Sequence, residues 1–202
     1  MYHYPSELLL KQSQDGNLFA LHIVSEGKVL HDSLGFFSGV KKAFKFKETY
    51  NDEILDASLI LRFFLNRPQL VSRKSSRKRL IWAIRTILIA RNAELRRSCF
   101  SSSNLTSFSN IPELKDIIDN RNASDPEINI KVARRVLSKF GYEDLGDYAW
   151  PIDKRAQREL MSNRGGIVAD TLRFVQPAGL IKKAALGFSQ VIPAEESFIY
   201  PD

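Results

Sequence analysis

The stretch that decides the fold runs from Arg73 to Arg97, RKSSRKRLIWAIRTILIARNAELRR. It contains neither Gly nor Pro, and Leu80, Ile84, Ile87, Leu88 and Leu95 recur at helical spacing. From Leu80 to Ala90 only Arg85 and Thr86 are polar. A helix that apolar is buried on nearly all sides, so the pattern predicts the central helix of a bundle. Ser72 or Ser75 is placed to cap its start.

The same stretch carries the charge. It holds nine basic residues and one acidic residue, Glu94, in a chain of 202 residues whose formal net charge is +7. The rest of the chain therefore carries a slight negative excess. At about 100° per residue, Lys74, Lys78, Arg85, Asn92 and Arg96 fall within about 20° of one line. One reading is a cationic stripe facing phosphates, with Arg73, Lys74, Arg77, Lys78, Arg85 and Arg96 as nucleic-acid-binding residues. The other makes Arg85 a core arginine paired with a carboxylate of a neighbouring helix, with the ends of the helix merely solvated.

Outward from this segment the pattern is mostly helical. Helices are predicted over Glu7 to Gln14 with Ser6 as cap, along Phe36 to Phe46 with a phenylalanine face, and from Asp52 to Leu65, ended by Asn66-Arg67-Pro68. Further helices are predicted from Ile111 to Ile118, from Pro126 to Phe140 between Asp125 and Gly141, and from Asp153 to Asn163 before Gly165-Gly166. Leu18 to Val24 suits a helical turn or a strand, and Lys28 to His31 a short strand. Ser98 to Asn110, rich in serine, reads as a flexible loop. Ile167 to Val175 and Leu180 to Phe188 read as short helices, and Ile192 to Asp202 as extended. The expected fold is a mostly α helical bundle with a small α/β N-terminal piece. Its divisions are residues 1–47, a bundle over 48–145, and a helical or extended tail over 146–202.

Several chemistries are excluded. One cysteine, Cys99, forbids a disulfide scaffold or a cysteine zinc cage, although Arg96 and Arg97 beside it are expected to lower its pKa. His3, His22 and His31 include no i, i+4 pair, and His22 reads as a satisfied core histidine. There is no glycine-rich phosphate loop and no Asp-x-Asp strand of a two-metal site; Asp116 and Asp119 read as surface residues. No catalytic residue, metal or cofactor is expected. No signal peptide is seen at Met1 to Glu7, and no apolar run approaches the roughly 20 residues needed to span a bilayer. A cytoplasmic protein with no membrane partner is the expectation.

Gly16 to Asp32, GNLFALHIVSEGKVLHD, resembles a segment of bacterial nucleotidyltransferase-domain proteins, roughly G-x-L-F-x-x-H-L-x-x-E-G-x-x-L-Y-D. In that family it closes the polymerase-β-like domain, and an all-helical domain follows, to which Asp52 to Phe140 is similar. The resemblance covers about residues 1–145. The family's catalytic aspartates precede this segment, and Tyr2, His3 and Tyr4 supply no carboxylate. The resemblance therefore implies a non-catalytic, nucleotidyltransferase-like subunit, binding nucleic acid (RNA first) or nucleotide beside a catalytic partner, in a stress, toxin–antitoxin or phage-defence system. Two alternatives stand beside it. One is an interaction or structural subunit docking an acidic partner through the basic helix and the tail. The other is a split nucleotidyltransferase active only with a second chain. The Arg-x4–6-His motif of related RNA-cutting toxins is missing, since no His follows Arg85 or Arg91.

Overall fold

A computed structural model describes residues 5–32, 34–142 and 150–175, with side chains to 172. The described residues form a mostly α helical bundle. Its helices are α1 (Ser6–Gln14), α2 (Leu18–Glu26), α3 (Phe36–Ala43), α4 (Asn51–Leu65), α5 (Lys74–Glu94), α6 (Ser102–Ser109), α7 (Glu113–Asp119), α8 (Pro126–Phe140), α9 (Lys154–Arg164) and α10 (Gly166–Val175). A 3-10 turn, Pro68–Ser72, joins α4 to α5.

Two helices share the centre. α5 buries Leu80, Ile84, Ile87 and Leu88 completely, and α4 does the same with Ile54, Leu59, Ile60, Leu61, Phe63 and Phe64. Each such side chain contributes about 1.5–3 kcal/mol by leaving water. The short 3-10 turn makes α4 and α5 antiparallel neighbours. α8 runs parallel to α5. Arg77, near the start of α5, donates to the Ser124 carbonyl just before α8, at 3.0 Å. Arg91, near its end, donates to the Phe140 carbonyl at the last turn of α8, at 2.8 Å. α9 runs against α4: Lys154 at its start meets Arg67, and Arg164 at its end meets Asp52 and Asp56. α10 then packs on both central helices, with Val168 and Leu172 in the core. The described part of the tail is thus built into the bundle through Met161, Val168 and Leu172.

A tyrosine ties the N-terminal helices to α5, beside Leu21 of α2 in the core. Tyr50, fully buried, donates its hydroxyl to the Gly16 carbonyl at 3.0 Å, while its N–H donates to Glu94 Oε1 of α5 at 3.2 Å.

Five local expectations change. Lys28 to His31 forms no strand: Leu30 is 99% exposed, and among the described residues no strand offers a pairing partner. The N-terminal piece is therefore helical where described, and Leu18 to Val24 lies within α2. Ser98 to Asn110 is not one loop but contains α6, because Ser101 caps it and Leu105 is fully buried. Ser6 lies inside α1, whose cap position holds Pro5, and neither Ser72 nor Ser75 caps α5: Arg73 occupies that position without a side-chain bond. The expected helix at Leu180 to Phe188 and the extended end lie outside the described residues.

Candidate nucleic-acid interface

α5 begins without the residues that usually start a helix. Its first turn has no acidic side chain and no side-chain cap, and Arg73, Lys74, Arg77 and Lys78 stand there instead. The amide dipoles make a helix N-terminus positive, so each cation there costs roughly 0.3–1 kcal/mol rather than helping. The four residues lie within about 8 Å along the helix axis, at 1.5 Å per residue. Arg73 and Lys74 are exposed, and Arg77 and Lys78 are half-buried. Arg77 donates to the carbonyls of Ser124 and Asn122, both at 3.0 Å. These carbonyls orient the guanidinium without cancelling its charge.

The remaining two predicted residues are elsewhere. Arg85 lies about 16 Å further along the axis, half-buried, and donates to the Phe100 carbonyl at 3.2 Å. Arg96 lies past the end of α5, in left-handed backbone at φ 60°. It donates to the Lys47 carbonyl and covers the Phe46 ring at 5.6 Å. Asn92, which shares their helical line, is buried and bonds the Leu88 carbonyl at 2.8 Å. A continuous stripe is therefore not formed; the structure brings together Arg73, Lys74, Arg77 and Lys78 and leaves Arg85 and Arg96 apart. Periodicity places residues on a line but says nothing of the neighbours that cover that line.

Sequence reasoning missed other cations at the same end of the bundle. Arg67, read only as part of a helix stop, is buried there against α9, and Lys154 and Arg158 come with that helix. The two parts are 87 residues apart, so no local signal joins them.

Other chemical groups are structurally engaged. His22 Nε2 is 3.0 Å from Glu26 Oε2, and its ring stacks on Phe100 at 4.5 Å between centroids. Cys99 is buried, and burial pushes its thiol pKa up, with Glu26 adding to the rise. The shift is opposite to the lowering expected from Arg96 and Arg97, because burial and Glu26 are what act on the thiol. Asp116 and Asp119 are exposed, as expected. Among the described residues no group of three or more His, Cys, Asp and Glu is arranged to hold a metal ion. None of the described helices is long and apolar enough to cross a membrane. Neither a protein-family model, nor a curated protein, nor a solved structure matches this chain.

Proposed function

We propose that the chain is a non-catalytic, nucleotidyltransferase-like helical subunit that binds nucleic acid, RNA first, through the start of α5. The observation that carries this reading is the group Arg73, Lys74, Arg77 and Lys78 on an uncapped helix start without an acidic first-turn residue. Cations held where the helix dipole opposes them favour a polyanion as their partner. From the resemblance of Gly16 to Asp32 we also infer a catalytic partner chain and a stress or phage-defence setting.

The test uses Arg73→Gln with Lys74→Gln, two exposed positions. RNA affinity is measured against salt for the full chain and the double variant. The expected result is weaker binding at every sequence and a log–log salt slope shallower by about 1.4, at about 0.7 per lost single-strand contact. Unchanged affinity and slope would overturn the interface. Nucleotide transfer by the purified chain alone, with magnesium and nucleoside triphosphates, would overturn its non-catalytic part.

A further inference from the structure

Arg67 is the unusual cation of this fold. It is 6% exposed, and its Nη1 is buried without a hydrogen-bond partner among the described residues. Nη2 donates to the Lys154 carbonyl, at 3.4 Å. The guanidinium lies over the Phe63 ring, 4.4 Å from its centroid. Burial lowers its pKa, and the neighbouring Arg158, another cation, lowers it further. The described acidic residues at this end of α9 are engaged elsewhere: Asp153, at its cap, accepts from the N–H groups of Arg155 and Ala156 at 2.8 Å each, and Glu159 accepts from Arg155 Nε at 3.2 Å. A buried guanidinium beside a like charge, with an unbonded N–H and no carboxylate bonded to it among the described residues, is unfavourable unless an anion completes the site.

We propose that Arg67 and Arg158 seat a phosphoryl group at the junction of α4 and α9. Two guanidinium groups match a doubly charged tetrahedral oxyanion, and planar N–H forks suit its oxygens. Ring stacking on Phe63 keeps the Arg67 fork oriented while leaving Nη1 free to donate. Arg158 is exposed and has no hydrogen bond or ion pair among the described residues, so it is available to close over the anion. The group comes either from free phosphate or from a nucleotide. This site stands on Arg67 and does not rest on the reading of α5.

The experiment is thermal unfolding of the full chain at constant ionic strength, with inorganic phosphate, a nucleoside monophosphate or the bare nucleoside replacing part of the sodium chloride. At about a hundred times its Kd, a bound anion raises Tm by about 5–10 °C. The wild type is expected to show this rise, saturating with concentration, in phosphate, in monophosphate or in both. A rise in both assigns the seat to the phosphoryl group itself; a rise in monophosphate alone assigns it to a nucleotide. Arg158→Gln is expected to keep the basal Tm within about 1 °C and to lose the rise. Arg73→Gln with Lys74→Gln is expected to retain it, which separates this site from the RNA interface. Equal responses of wild type and Arg158→Gln, or no saturating response, would overturn the proposal.

Discussion

Gly16 stands at φ 66° with a Lys45 carbonyl 2.3 Å and a Lys47 nitrogen 2.8 Å from where a Cβ would lie. Both are backbone atoms of the segment before Tyr50, and the Gly16 carbonyl takes the Tyr50 hydroxyl. Gly16→Ala therefore combines left-handed strain with a clash that no side-chain rotation relieves. It is expected to cost about 2–4 kcal/mol, read as a lower urea midpoint with unchanged slope. The break at Asp15-Gly16-Asn17 is visible in the sequence, as is the capping role of Asn17, which accepts from the Phe19 N–H at 2.8 Å. That glycine is needed because of Lys45 is not visible, since the contact crosses the whole of α2 and α3. Arg85 is a similar case. Its burial follows from the apolar run around it, whereas its bond to a backbone carbonyl depends on where the chain turns after α5.

Among the elements, α8 and α9 are the most legible, because their boundaries are local chemistry. Asp125 accepts from the Glu127 N–H, Asp153 from Arg155 and Ala156, and Gly141 and Gly165 follow the two helices. α6 is illegible for the opposite reason: a serine-rich octapeptide has weak propensity, and packing of Leu105 against the core decides it. How α9 is attached is tertiary information too. Arg164 Nε donates to Asp56 at 2.5 Å and Nη2 to Asp52 at 2.9 Å. Burial pushes the Asp56 carboxyl above its ordinary pKa, against the pull of Arg164. Arg164→Met leaves that desolvated carboxylate unpaired and is expected to cost about 2–3 kcal/mol at pH 7. A carboxyl with a raised folded pKa is favoured when protonated, so the deficit should shrink as pH falls through that pKa. Chemical denaturation at pH 7 and pH 4.5 checks this, and adding Asp56→Asn should recover part of the loss at pH 7.

For the whole molecule, the helical bundle and the central place of α5 follow from the sequence because both are written in apolar periodicity. The division at residue 146 does not correspond to a free appendage where the chain is described, since Met161, Val168 and Leu172 enter the same core as α4 and α5. Removing residues 151–202 is therefore expected to strip apolar cover from both central helices. The truncated chain should lose cooperative thermal unfolding and bind a hydrophobic dye, as loosened packing does; a cooperative transition at the original Tm would contradict this. The charge distribution is legible only in outline. The excess does lie in the Arg73 to Arg97 segment, but folding divides it among the two ends and the middle of a helix about 30 Å long, and adds Arg67, Lys154 and Arg158 at one end.

Arg96 occupies backbone that glycine would adopt without strain, and α5 leaves its last turn through it. Its bond to the Lys47 carbonyl and its place over Phe46 are what α5 receives in return. When those contacts break, residue 96 is free to return to right-handed backbone, a relaxation of about 1–2 kcal/mol. The joint between α5 and the segment leading back to α1–α3 is thus sprung: a side chain holds it shut against the preference of the main chain, and letting go relieves tension there.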